Sequence, residues 1–115
     1  MSDDLTLGAL TAALGGLAER QRVIATNTAN IETPGYLAKR VSFENELAAA
    51  LRDGSINVAG VTPTENTSLE PTRMDGNNVN LDRETLMGTD TEMRYQLMVR
   101  AVDAKFGLLR SAIRG

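Results

Sequence analysis

Apolar residues recur every three or four positions through the N-terminal part of the chain. With Gln21 as its one polar interruption, the repeat consists of Leu7, Leu10, Leu14, Leu17 and Ile24. This spacing predicts an amphipathic helix over about residues 4–31. Gly8, Gly15 and Gly16 each weaken an isolated helix by roughly 1 kcal/mol relative to Ala. We therefore expect this helix to need a packing partner.

The C-terminal segment, about residues 82–113, carries two adjoining apolar stripes at helical spacing. The first stripe consists of Tyr95, Met98, Val102, Phe106, Leu109 and Ile113, and the second of Leu97, Ala101, Ala104, Leu108 and Ala112. Asp82 is a candidate N-cap and Glu84 a favourable acid for the first turn of this helix. Gly88 leaves open a later start. One helix from the same chain cannot cover both stripes, so the pattern also predicts a protein interface.

The middle of the chain lacks a sustained period. Ser42 is a candidate cap for a short helix that ends at Asp53-Gly54, and residues 54–80 are rich in Gly, Pro, Thr and Asn. Brief strands are possible around Ile56–Val58 and at Val61. The predicted fold is mainly α, with long N- and C-terminal helices pairing as an antiparallel coiled-coil-like hairpin, a short middle helix and a flexible, partly β connector. The expected divisions are residues 1–35, 36–80 and 81–115.

Composition narrows the function classes. The chain has 115 residues, enough for one small domain, and only 3% of them are aromatic. The net charge of −3 does not indicate the basic surface that nucleic-acid-binding proteins usually have. Cysteine and histidine are both absent, which removes disulfides, the commonest zinc ligand and the commonest general base. We therefore predict no enzyme, with no catalytic, cofactor-binding or metal site. No apolar run is long enough to span a membrane.

A sharp turn is expected where the first helix ends. Pro34 cannot continue a helix, and Pro-Gly suits the two central positions of a type II turn, in which Gly35 supplies the positive φ. Asn27 and Asn30 lie three residues apart, on one face of the last helical turns. We expect them to cap exposed backbone groups, with hydrogen bonding between subunits as the alternative.

Two segments also resemble a known family. The pattern Asn-x-Ala-Asn-x-x-Thr-Pro-Gly-Tyr resembles the signature of the axial proteins of the bacterial flagellum, the rod and hook family. It is carried by Asn27, Ala29, Asn30, Thr33, Pro34, Gly35 and Tyr36. Thr28 stands where the family pattern has an aliphatic residue. Residues 75–84, with Tyr95-Gln96 and residues 105–107, look most like the proximal rod proteins beside the inner-membrane ring. The chain is too short for the central domain of the distal rod and hook proteins.

The resemblance implies a structural subunit of the flagellar basal-body rod. Such subunits pack through their terminal helices into a hollow tube that transmits torque and passes exported subunits. They reach the basal body, in the periplasm and cell envelope, through the type III apparatus without a cleaved signal peptide. The implied partners are copies of the chain, other rod proteins, and the inner-membrane ring, rod-base adaptor and export-gate proteins, with no direct membrane insertion. The implied assembly interface is Leu7, Leu10, Leu14, Leu17, Ile24, Met98, Val102, Phe106, Leu109 and Ile113.

Other interpretations remain open from the pattern alone. The apolar stripes could pair only within one chain, as an ordinary helical hairpin. The chain could also be a small helical adaptor or export chaperone that binds one client protein through its C-terminal stripe. Long polymers, or co-assembly with other rod proteins, would favour the rod subunit, whereas a closed stoichiometric complex would favour the adaptor.

Overall fold

The computed structural model describes residues 3–54 and 57–114, although not the side chain of Asp3. In chain order the elements are α1 (Asp3–Ala29), β1 (Lys39–Ser42), α2 (Glu44–Arg52), a short 3-10 helix (Val58–Gly60), β2 (Thr64–Thr67) and α3 (Leu81–Arg114). The predicted mainly α architecture, with a short middle helix and a small two-stranded connector, is confirmed.

Helices α1 and α3 run antiparallel along the long axis of a body that measures 64 × 26 × 14 Å. The direction follows from their contacts. Near the end of α1, Asn27 bonds Glu84 in the first turns of α3. Farther back along α1, Gln21 Nε2 donates to Gly88 O (3.3 Å) and to Glu92 Oε2 (3.2 Å). The predicted hairpin is therefore present within one chain.

The start of α3 differs in detail from the prediction. The cap is Asn80, whose Oδ1 accepts the Arg83 N–H at 3.0 Å, and Asp82 lies inside the first turn. Asn is as good an N-cap as Asp, so the sequence alone did not separate the two. Gly88 does not delay the helix. It lies where α1 approaches, with Ile24 3.7 Å from the position that a Cβ would occupy.

The segment between the Pro34-Gly35 turn and α2 folds back along α1 and shares one core with it. Leu17 and Val23 of α1 form a buried cluster with Val41 and Phe43, against which Tyr95 and Met98 of α3 pack. Phe43 also occupies the N-cap position of α2, where Ser42 was expected. The connector after α2 also packs on α1, because Val58 is 1% exposed and its Cγ1 would lie 2.8 Å from a Cβ added at Gly8. Contact with α1 can thus order a connector that has few apolar residues of its own.

The strands of the connector were predicted in the wrong place. Val58 begins a 3-10 helix, Val61 follows it in extended conformation, and Ile56 lies outside the described residues. The strand that does pair with β1 is β2, with Val41 opposite Glu65. All four β2 residues are exposed, so no hydrophobic alternation marks it in the sequence. In the described residues, neither long helix has the apolar content that a bilayer-spanning segment needs.

Arg20 of α1 anchors the start of α2. Its guanidinium donates to both Glu44 carboxylate oxygens (2.7 and 2.8 Å) and to Val41 O (2.8 Å), and it lies 5.1 Å from the centre of the Phe43 ring. The paired hydrogen bonds from Arg20 lower the pKa of Glu44 to about 2, although partial burial opposes the shift. Bidentate geometry makes this ion pair stronger than an ordinary surface pair.

Glu44→Gln should make the free energy of unfolding depend less on pH between about pH 4.5 and pH 2. The folded-state pKa is depressed, so the contribution of Glu44 is fully present above about pH 4.5 and is lost as the pH falls toward 2. The measurement is the urea unfolding midpoint at pH 6 and at pH 3 for both proteins. The midpoint should fall less between these pH values in the variant. Arg20→Gln is the matched control and should flatten the profile similarly. A wild-type profile in both variants would contradict the assignment.

Candidate functional site

The two segments that carry the family resemblance meet at one end of the hairpin. We call this end the clasp, made of residues 27–40 and 68–84. It joins the end of α1, the turn after it, β1, the loop before α3 and the first turn of α3. Backbone and side-chain amides, rather than apolar side chains, supply most of its contacts.

The turn at Pro34-Gly35 is held against a second turn from the other segment. Gly35 has a φ of +74°, and the Tyr36 N–H donates to Thr33 O at 3.2 Å, as a type II turn requires. The Gly35 N–H donates to Asp75 O at 2.8 Å. Gly76, with φ +84°, brings its backbone so close that an added Cβ would lie 3.3 Å from Gly35 Cα. Both glycines are needed, for conformation and for this close approach.

Asn27 is the centre of the clasp. Its side chain is fully buried, and each polar atom makes two hydrogen bonds. Nδ2 donates to Lys39 O and to Glu84 Oε1 (both 2.9 Å), while Oδ1 accepts the Lys39 N–H (2.9 Å) and the Tyr36 hydroxyl (3.2 Å). Asn27 therefore joins α1, β1 and α3. This is neither the helix-end capping nor the intersubunit bonding that the sequence suggested.

A buried ion pair adjoins Asn27. Glu84 is 1% exposed, and its Oε2 lies 2.9 Å from Arg40 Nη2 of β1. Arg40 Nη1 also donates to Glu84 Oε1 (3.3 Å) and to Lys39 O (3.1 Å). Burial raises the pKa of the nearby Tyr36 hydroxyl, and the charge of Glu84 adds to this shift. A buried charge pair of this kind holds its surroundings in one geometry, because each partner is costly to leave unpaired.

Two consecutive asparagines fix the loop before α3. Asn77 is fully buried, and its Nδ2 donates to the carbonyls of Asn30 and Thr33 (both 2.9 Å) at the end of α1. Asn78 Oδ1 accepts the Ala38 N–H at 2.7 Å, and its Nδ2 donates to the carbonyls of Ser68 (3.3 Å) and Glu70 (3.1 Å). The Asn77-Asn78 pair thus joins the loop before α3 to the end of α1, to Ala38 and to residues 68–70.

The remaining motif residues have local roles. Asn30 Nδ2 donates to Thr26 O (2.8 Å), and Asn30 Oδ1 accepts the Thr33 hydroxyl (3.0 Å), which closes the end of α1. Thr28, the departure from the family pattern, donates its hydroxyl to Ile24 O at 2.9 Å and is half-buried. Ala29 and Pro34 are exposed.

Most of the expected assembly residues lie in the contact between α1 and α3 or in the shared core. Leu17 and Ile24 are buried, and six others are half-buried, namely Leu7, Leu10, Leu14, Met98, Val102 and, at the far end, Leu109. Only Phe106 and Ile113 are exposed. Eight of the ten residues are therefore at least partly covered within one chain.

A continuous apolar stripe remains uncovered on the other side of α3. Its exposed members are Leu86, Met93, Leu97, Ala104, Leu108 and Ala112. They follow helical spacing, and between Leu86 and Leu108 the stripe runs for roughly 33 Å. Most of the second stripe found in the sequence thus faces solvent in the single chain.

Several clasp residues were not recognised from the sequence. Glu84 looked like a first-turn acid, and Arg40 carried no signal, because their pairing joins positions 44 residues apart. The Asn77-Asn78 pair lies in a segment that carries the family resemblance, but the sequence did not show what its side chains bond. A single hint exists, since five asparagines lie within four residues of an end of α1 or α3, namely Asn27, Asn30, Asn77, Asn78 and Asn80. Within residues 3–54 and 57–114, no group of three or more Asp or Glu side chains is arranged to hold a metal ion. The hydrogen bonds of the clasp hold and orient backbone segments of the same chain.

Comparison with known proteins identifies close relatives over most of the chain. No protein-family model matches. The chain is 32% identical over 107 residues to the flagellar basal body rod protein FlgB of Bacillus subtilis, which covers 84% of this chain and 83% of that protein. It is 31% identical over 112 residues to FlgB of Escherichia coli, covering 81% of each. FlgB of Borreliella burgdorferi is 29% identical over 102 residues, covering 71% of this chain and 76% of the relative. The chain therefore belongs to the FlgB family of flagellar basal body rod proteins, which are structural components of the rod and not enzymes.

Proposed function

We propose that this chain polymerises through its terminal helices into a hollow tube of the flagellar rod, which transmits torque and passes exported subunits. Its partners in that tube are copies of itself and other rod proteins. The observation that carries the proposal is the uncovered apolar stripe of α3, on the side away from α1. Water-exposed apolar surface of this length in a small protein is typical of a protein interface.

The geometry of α3 supports contact with more than one neighbour. Met98 packs against the core that includes α1, Val102 and Leu109 on the same stripe are half-buried, and the exposed stripe lies on a different face of the same helix. In a two-helix hairpin that is 14 Å thick in its thinnest dimension, nothing else in the described chain can cover this second face. A second subunit would cover it. Phe106 and Ile113, exposed at the far end of α3, would extend the same interface.

The location and the remaining partners follow from the family resemblance. We propose that the chain lies in the basal body within the cell envelope and is exported by the type III apparatus without a cleaved signal peptide. At the base of the rod it would contact the inner-membrane ring, the rod-base adaptor and the export gate.

Leu97→Asp combined with Leu108→Asp should abolish assembly while leaving the single chain folded. Both side chains are exposed (59% and 68%), so the free energy of unfolding should change by no more than about 0.5 kcal/mol. Burying two carboxylates in an interface is far more costly than that. Sedimentation of the purified protein, alone and with other rod proteins, followed by electron microscopy of the pellet, measures assembly.

The matched control is Gln96→Asp, an exposed position on the polar side of the same helix, which should leave assembly intact. Polymers formed normally by the double Leu variant would contradict the role of the stripe. A closed complex of fixed stoichiometry with one client would instead favour an adaptor.

A further inference from the structure

The two ends of the elongated body differ in charge. At one end is the outer surface of the clasp, residues 30–36 and 68–83, which we call the head. At the other end is the last part of α3, residues 100–114, which we call the tail. Because Asn27 faces Glu84 and Gln21 faces Gly88, α1 and α3 are paired so that Asp3 lies beside about residue 108. The last turns of α3 therefore run roughly 9 Å past the first described residue of α1.

The head presents apolar side chains on an ordered loop. Leu69 is 97% exposed and Met74 is fully exposed. The backbone beside them is nevertheless fixed, because Ser68 O and Glu70 O accept from Asn78, the Arg73 N–H donates to Asn77 O (2.7 Å), and Arg83 pairs with Glu70. Two large apolar side chains held outward on a fixed backbone lose little entropy when a partner covers them.

The head is acidic. It carries four acidic side chains (Glu32, Glu70, Asp75 and Asp82) and two basic ones (Arg73 and Arg83), a net charge of −2. Arg83 pairs with Glu70, and Arg73 lies 3.9 Å from Asp75. Among the described residues, no ion pair involves Glu32 or Asp82, and both are exposed. The carboxylates of Glu32 and Asp82 therefore account for the net charge of −2 of the head.

The tail is basic. It carries four basic side chains (Arg100, Lys105, Arg110 and Arg114) and one acidic one (Asp103), a net charge of +3. Asp3 and Asp4 of α1 lie beside it and reduce the net charge of this end of the body to +1, whereas Arg110 and Arg114 lie past the first described residue of α1. Its exposed apolar residues are Phe106 (47%), Leu108 (68%) and Ile113 (87%). The tail is thus opposite in sign to the head and, like the head, has large apolar side chains beside its charges.

We propose that the tail of one copy of this chain docks on the head of the next copy. Arg110 and Arg114 would face Glu32 and Asp82, and Ile113 would cover Leu69 and Met74. This contact rests on the proposed polymer and supplies its end-to-end interface. Head and tail are different surfaces of one chain, so the interface is heterologous, and repeating it gives an open helical assembly rather than a closed dimer. Complementary charge also disfavours head-to-head and tail-to-tail pairing.

Reciprocal charge reversal tests the contact. One variant reverses the head (Glu32→Arg with Asp82→Arg), and the other reverses the tail (Arg110→Glu with Arg114→Glu). Alone, each variant has two ends of like charge, and we expect on the order of tenfold less pelleted polymer than for wild type. Mixed in equal amounts, the two should assemble again, because each head then meets a tail of opposite sign. Added salt should weaken wild-type assembly, since these charges are exposed.

The control is Arg22→Glu with Arg94→Glu, which changes the net charge as much as the tail variant but lies away from both ends, and which should assemble normally. Normal assembly of the head and tail variants alone, or no recovery on mixing, would overturn the contact. If Leu86→Asp with Leu97→Asp, two exposed stripe positions outside the tail, still blocked assembly, the proposed polymer itself would stand. Pelleting of wild type only together with another rod protein would make that protein, and not a second copy, the occupant.

A second measurement does not depend on long polymers. The chain has no cysteine, so single variants give unambiguous cross-links. A mixture of Leu69→Cys and Ile113→Cys should form a disulfide-linked heterodimer under mild oxidation. Leu69→Cys mixed with Ala18→Cys, an exposed position on α1, should not. Equal cross-linking in both mixtures would contradict the head-to-tail contact.

Discussion

Arg40→Met should lower the free energy of unfolding by about 3–5 kcal/mol, the largest effect expected of a single substitution in this chain. The loss would leave Glu84, 1% exposed, as a buried carboxylate without its counter-charge. Lys39 O would lose a donor as well. Methionine keeps most of the length and apolar stem of the side chain, so the effect reports charge rather than volume. Urea unfolding at neutral pH, followed by circular dichroism, measures it.

Two controls separate the buried charge from other causes. Arg94→Met removes an exposed arginine that pairs with Asp90 on the same helix, and should cost less than about 0.5 kcal/mol. Adding Glu84→Gln to Arg40→Met should restore part of the stability, because the amide needs no counter-charge and its oxygen can still accept the bond from Asn27. A loss below 1 kcal/mol for Arg40→Met would show that the ion pair does not hold the clasp.

Gly16→Ala should destabilise the chain by about 1–3 kcal/mol, whereas Gly15→Ala next to it should stabilise it by up to about 1 kcal/mol. An added Cβ at Gly16 would lie 2.4 Å from Phe43 Cδ1 and 2.5 Å from Cε1, so the buried ring would have to move. At Gly15 no atom lies within 4 Å, and alanine gains only helix propensity. Unfolding midpoints of the two variants, measured side by side, give the two signs.

Each glycine variant is the control for the other, because the residues are adjacent and the change is the same. Stabilisation at both positions would mean that helix propensity alone decides, and that Phe43 does not pack on α1 as the structure has it. The sequence assigned both glycines the same weakening role. The structure separates them because a side chain 27 positions away occupies the space beside only one of them.

What could be predicted from the sequence was local. The 3-4 spacing of apolar residues predicted α1 and α3, and the Pro-Gly pair indicated a turn at the right place, because each depends on residues close together in the chain. The second apolar stripe of α3 could also be predicted to lack a partner within the chain, because a single partner helix cannot cover two stripes. The assembly residues chosen from the first stripe remain a proposal, and most of them lie in contacts inside one chain.

What could not be predicted depends on residues far apart. Asn27 looked like a cap because nothing nearby in sequence shows that Lys39 and Glu84 close over it. Strand β2 has no apolar side to mark it and exists only because β1 offers a partner. Each of these features forms only when a second segment, distant in the sequence, packs against the first. Local patterns of apolar and polar residues do not show which distant segment that is.

The polar character of the clasp has a consequence for how the two long helices are aligned. If α3 were shifted along α1 by one turn, the apolar stripes of the two helices would still pack almost as well as in the observed alignment, because apolar contact is not directional. Amide hydrogen bonds are directional. A slide of about 5 Å would separate Asn27 from Glu84 and Arg40 from its carboxylate, and would leave them buried and unpaired. The polar contacts of the clasp thus select one alignment of α1 and α3 among several that apolar packing alone would allow. The exposed stripe of α3 therefore has the same position relative to α1 in every copy of the chain.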